Sequence, residues 1–180
     1  MSEENNTQIL IREYLLDEGL LRKKIKDPKI EFGFQFIFPP GKDPLGRAIG
    51  KMMVVFKPKN KDSLFIEIGT QIARIHINAL DSLGEKKMQF FMDLRKSFLI
   101  KDVFFGIDIK NNRYKISDQI FLKADGTISK NIFYKSIRRV FNSAAYSNMI
   151  LAEYCAGKVK PEDLTKSKDF AFGSDFSLYS

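Results

Sequence analysis

A chain of 180 residues with one cysteine, one histidine and no tryptophan leaves few routes to metal or thiol chemistry. Cys155 alone excludes an intramolecular disulfide and any site built on several thiolates. His76 alone, set between Ile75 and Ile77, reads as a structural residue, because a metal site usually gathers several His, Cys or carboxylate ligands. No apolar run approaches the roughly 20 residues that cross a bilayer. The first residues, MSEENNTQIL, hold neither a basic nor an apolar segment of the kind a secretory signal needs. These absences point to a cytoplasmic globular protein without a cofactor.

Phenylalanine is plentiful instead, with 17 copies, so a phenylalanine-rich core is expected. Lysine and arginine exceed acids by 30 to 22, for a formal charge of +8. The excess is uneven. Between residues 21 and 61 lie eleven basic residues and three acids, whereas the first twenty residues are acidic. A solvated lysine-rich surface accounts for this, and so does an edge that meets nucleic acid or an acidic partner. Lys42, Arg47, Lys51, Lys57 and Lys59 are the candidate partner-binding residues of that surface.

Periodicity divides the chain into elements. Residues 7–24 have helical spacing at Ile9, Leu10, Tyr14, Leu15 and Leu21, with Thr7 as a candidate N-cap and Gly19 as an end or a break. Residues 30–38, IEFGFQFIF, alternate strictly, which predicts a strand with one buried face carrying Ile30, Phe32, Phe34, Phe36 and Phe38. KMMVVFK at 51–57 and SLFIEIG at 63–69 predict two further strands, joined as an antiparallel meander. Residues 71–77 extend the third strand or lead into a helix. Ser82 and Glu85 have the spacing of a capping box, ahead of a stripe from Met88 to Leu99. VFFGIDI and RYKISDQIFL then form a hairpin about Asn111-Asn112. Asp125-Gly126 marks another turn, and residues 129–156 a long last helix stopped by Gly157.

This order predicts an α+β domain over residues 1–157: a mainly antiparallel five-stranded sheet with helices on one face. Residues 158–180 read as a tail, and Phe170, Phe172, Phe176 and Tyr179 are its candidate docking residues.

The segment PPGKDPLGRAIGK at 39–51 invites comparison with a phosphate-binding loop. Such a loop needs Gly-x4-Gly-Lys-Ser/Thr after a strand and before a helix. Arg47 and Ala48 follow Gly46, Met52 follows Lys51, and the next segment reads as a strand. The segment is therefore expected to be a long basic hairpin loop. Glu67, Asp108 and Asp118 are the strand carboxylates that folding would have to assemble into a catalytic pair. Nothing in their spacing marks such a pair, and the expected protein is not an enzyme.

IEFGFQFIF, KMMVVFK, SLFIEIG, the helix from Ser82, VFFGIDI with RYKISDQIFL, and the helix from Ser129 follow one another in an order that resembles type III secretion chaperones. The order also resembles a small archaeal family of unknown function thought to share that fold. The resemblance covers roughly residues 7–157 and carries no catalytic residue. It implies a protein that binds other polypeptides, often as a homodimer. Those chaperones are usually acidic, whereas this chain is basic. Two functions follow as expectations: a protein- or peptide-binding module, or a nucleic-acid-associated protein that uses the basic 22–61 surface.

Overall fold

The computed structural model describes residues 5–46, 49–159 and 168–169. Its elements are α1 (Asn6–Asp17), β1 (Leu21–Ile25), β2 (Ile30–Phe38), β3 (Lys51–Pro58), β4 (Ser63–Gln71), α2 (Arg74–Asp81), α3 (Lys86–Ile100), β5 (Phe104–Asp108), β6 (Arg113–Phe121), α4 (Lys130–Tyr154) and β7 (Lys168–Asp169). Six strands lie in the order β1-β2-β3-β4-β6-β5, and the two-residue β7 pairs with β4. The sheet thus has more strands than the five expected.

One extra strand, β7, lies in the segment expected to be a tail, and the other comes from the expected first helix. α1 ends at Asp17, and Gly19 takes φ 67, a left-handed conformation that glycine adopts without a Cβ penalty. The chain turns there, and LRKKI becomes β1, paired antiparallel to β2. Leu21 therefore lies in a strand, and the buried face of α1 is Thr7, Gln8, Ile11 and Leu15. Asn5, not Thr7, is the N-cap: its Oδ1 accepts from the Thr7 N–H at 3.0 Å. Ser82 opens no capping box. It ends α2, its hydroxyl donates to Ala79 O, and Glu85 at the start of α3 makes no side-chain cap.

Two compact units emerge from the contacts: Met1–Glu67 with Asp118–Arg138, and Ile68–Ser117 with Arg139–Ser180. β4, β6 and α4 each contribute residues to both.

In the first unit Ile30, Phe32, Phe34 and Phe36 are buried on one face of β2, as the alternation predicts. Ile11 and Leu15 of α1 and Phe133 and Ile137 of α4 are fully buried, and the rings of Tyr14 and Phe133 lie 5.9 Å apart. Two longer-range hydrogen bonds fix α1: Tyr14 donates to Ile128 O, and Thr7 donates to Gly126 O. β3 and β4 are buried on both faces here. Val55, Leu64 and Ile66 lie on one side; Val54, Phe56 and Phe65 lie on the other.

In the second unit α3 packs on β5 and α2. Phe98 of α3 is fully buried against Phe105 and Tyr114, with centroids at 5.5 and 5.7 Å. The Tyr114 hydroxyl shares a buried hydrogen bond with Ser147 of α4 at 2.7 Å. At the other end of α3, Phe90 meets Tyr154 edge-on, and the Tyr154 hydroxyl donates to Asp93 Oδ2 at 2.6 Å. α3 and α4 are thereby pinned side by side.

Candidate protein-binding surface

The loop from Pro39 to Gly50 joins two strands, so no helix N-terminus is present to hold a phosphate. One of its glycines, Gly50, has a steric origin. A Cβ on Gly50 would lie 2.3 Å from the Pro39 carbonyl oxygen, closer than atoms can approach. Gly50 lets the chain re-enter β3 beside the segment it has just left.

The candidate basic residues do not form one cluster. Lys42 is exposed in the loop and Lys51 begins β3, half-buried, while Lys59 is exposed beyond the other end of that strand. At a strand rise of about 3.3 Å per residue, Lys51 and Lys59 stand roughly 25 Å apart. Lys57 is buried, and its ammonium is hydrogen-bonded to Glu31, so it serves the fold and not an exposed surface. Burial pushes the Glu31 carboxyl up, but hydrogen bonds from Lys57 and Asn5 together hold it below its ordinary range. Arg47 and the tail residues Phe170, Phe172, Phe176 and Tyr179 lie outside the described residues. The continuous exposed basic run is Arg22-Lys23-Lys24 on β1. It is the outer strand of the sheet.

The carboxylates are dispersed. Leu122 N–H donates to Asp62 O, and this sets Asp118 opposite Ile66 across β4 and β6. Asp118 therefore shares a face with Ile66, where its Oδ2 accepts from Ser136 of α4 at 2.7 Å. Glu67, one residue further along β4, points to the opposite face. The two cannot work as an acid–base pair. In the second unit Asp108 is held low first by hydrogen bonds from Asn111 and then by Arg113. It closes the β5–β6 turn.

His76 is fully buried on α2. Cys155 is fully buried as well, and burial pushes its thiol up, away from the reactive thiolate. No group of three or more His, Cys, Asp or Glu with metal-ligand placement occurs among the described residues. A cleft of about 350 Å³ in the first unit is lined by Leu20, Phe38, Pro40, Lys130, Tyr134 and Arg138. Lys130 is already engaged by Asp17 and Glu18, and the Tyr134 hydroxyl by Tyr14 O.

The outer face of α3 is different. Met88, Met92 and Leu99 are 53%, 42% and 64% exposed and recur at steps that align them along one side of the helix. Arg95 and Lys96 lie in the same stripe, both exposed, and Ile100 follows at 84%. On α4, Tyr146 and Met149 are also exposed. The Lys101 ammonium sits 4.7 Å from the Tyr146 ring centroid and joins the two helices at this end. The helical stripe was legible in the sequence, but only folding shows which of its members face outward. Of the stripe expected from Met88, Phe91, Met92, Leu94, Phe98 and Leu99, the structure buries Phe91, Leu94 and Phe98, together with Phe90, and leaves Met88, Met92 and Leu99 exposed.

No helix among the described residues is long and apolar enough to cross a membrane. No curated protein matches the chain in sequence. In structure the chain is similar to an uncharacterized protein from Methanothermobacter thermautotrophicus, known from a crystal structure. The TM-score is 0.70 at 24% identity, over 82% of this chain and 97% of that one. This likeness supports the α+β fold. A model of the family described as Uncharacterized conserved protein (DUF2299) matches residues 7–151, so the chain belongs to that family.

Proposed function

We propose that the chain is a non-enzymatic, chaperone-like protein-binding module of the cytoplasm, and that it holds an acidic amphipathic segment of a partner on the outer face of α3. The single observation that carries this reading is the exposed stripe Met88, Met92, Leu99 and Ile100 interrupted by Arg95 and Lys96. Exposed apolar side chains grouped on one helix are unusual on a monomer surface. Methionine suits such a role because its unbranched side chain repacks around different partners. Arg95 and Lys86 at the head of the helix, with Lys96 exposed beside Asp93 at 3.5 Å, favour an acidic occupant. The resemblance in element order to type III secretion chaperones belongs to the same reading.

Binding of fluorescein-labelled acidic amphipathic peptides tests it by anisotropy. The expected result is saturable binding that the variant Met88→Ser/Met92→Ser/Leu99→Ser weakens by about tenfold or more, a loss equivalent to about 1.4 kcal/mol. Failure of every such peptide to bind, or binding indifferent to the substitutions, would overturn the reading.

A second reading rests on β1. Its exposed Arg22-Lys23-Lys24 run is a basic edge that a nucleic-acid backbone would fit. A mobility shift that weakens steeply with salt supports it, and no shift at low salt removes it.

A further inference from the structure

We infer that a second copy of this chain pairs with the open edge of β5, antiparallel, about a two-fold axis through Gly106. The two edges of the sheet are chemically unlike. β1 presents exposed Arg22, Lys23 and Lys24, and its pairing with β2 is broken by a bulge. Charge and irregularity of this kind keep an edge from templating another strand. β5 ends the strand order at the other side, and among the described residues no strand pairs with its outer edge. Its sequence, FFGID, holds no lysine, arginine or proline. It pairs with β6 in five consecutive steps without a register shift, from Phe104 opposite Ser117 to Asp108 opposite Arg113. Phe104 is 54% exposed. This is a regular, largely apolar edge without the basic residues or the bulge of β1.

The strand is also complementary to itself. Outward backbone groups belong to alternate residues, so two copies can exchange hydrogen bonds only in registers that pair residues of like parity. The register centred on Gly106 uses the whole strand: Phe104 opposite Asp108 of the second copy, and Phe105 opposite Ile107. In that register the turn holding Asp102 meets the turn holding Lys110 of the second copy, twice by symmetry. Both residues are exposed, and neither side chain has a partner among the described residues. Charge complementarity thus favours the register that uses the whole strand. Phe104 and Gly106 share the face opposite Phe105, which packs on Phe98. Phe104 falls diagonal to Gly106 of the second copy, where the missing side chain leaves room for the ring. The occupant is a second copy because one strand and its two flanking turns supply the aromatic, the gap that receives it and both charges.

Sedimentation equilibrium on the full chain tests this. The expected mass is twice 20.8 kDa. Lys110→Glu, in an exposed turn, sets like charges opposite each other and is expected to weaken association by at least about tenfold. Asp102→Asn, which keeps a residue tolerant of φ 53, weakens it as well. Hydrogen exchange then loses its protection in residues 104–108 together with the mass. The monomer mass in the wild-type chain at every concentration overturns the inference, as does a dimer indifferent to Lys110→Glu. The α3 stripe variant leaves the mass unchanged, so failure of the peptide-binding reading and failure of this one are separable.

Discussion

Gly50 sits where no side chain fits. A Cβ there meets the Pro39 carbonyl oxygen at 2.3 Å and the Ile37 side chain at 2.6 Å. The backbone oxygen cannot rotate away, so one strand must shift. Gly50→Ala is expected to lower stability by about 2 kcal/mol, within the range of overpacking, whereas Gly46→Ser, with nothing within 4 Å but φ 78, is limited to backbone strain. Urea denaturation of the two variants checks the order. Tyr154 makes a different kind of residue-scale statement. Burial, and then its hydrogen bond to Asp93, push its hydroxyl up to about 12 from 10.0. A raised folded value means that the bond's contribution is whole below pH 10 and is lost as pH rises through about 12. Asp93 is held low, first by Tyr154 and then by Gln89, so its part is present above the ordinary 3.8 and is lost as pH falls through the lower folded value. Tyr154→Phe is expected to flatten both limbs of a plot of thermal midpoint against pH. An unchanged alkaline limb would show that the bond contributes nothing.

At the scale of elements, the sequence was most legible where one period ruled a segment. IEFGFQFIF places an apolar residue at every second position, and β2 buries the residues this alternation assigns, with Phe38 only half-buried where the strand ends. The hairpin about Asn112 and the last helix, with Gly157 after it, follow their local signals as well. β1 was not legible. LRKKI buries neither of its apolar ends fully, and its three central residues face solvent. Such a segment has no period of its own and is a strand only because β2 offers hydrogen bonds to it. Its lysines nevertheless have a purpose as an edge. Lys23→Val/Lys24→Val is expected to leave the fold intact but to promote aggregation, because a β-branched uncharged edge accepts further strands. Light scattering on warming checks this. No rise over the wild-type chain would show that the charges do not guard the edge. The capping box at Ser82 failed for a related reason: α2 needs that serine at its own end, where the hydroxyl returns to Ala79 O.

At the scale of the whole chain, residues far apart in sequence decide the matter. Phe133 is fully buried in the first unit and meets Tyr14, more than a hundred positions away. Phe133→Ala is expected to cost about 4 kcal/mol, the loss typical of an emptied aromatic site. Calorimetry gives the value, and a cost below about 1 kcal/mol would mean that the cavity collapses freely. The candidate site was legible only in part. The basic residues counted along 22–61 suggest one surface, but Lys57 is buried on Glu31, and Lys51, Lys59 and the Arg22-Lys23-Lys24 run are spread over the two ends of β3 and the edge strand. Counting charge in sequence cannot tell a solvated lysine from a buried one. Nor can it show that Glu67 and Asp118 point to opposite faces, since that depends on which strands become neighbours. By itself the sequence determined the α+β class, most of the element types and the turns, because those follow from local periodicity and backbone preference. Only the tertiary structure decided that β1 is a strand, that β6 lies beside β4, which side of α3 stays in water, and which edge of the sheet is left without lysine or arginine. Each of these is a choice of neighbour, and neighbours are set by long-range hydrogen bonds and shared burial that no short stretch of chain encodes.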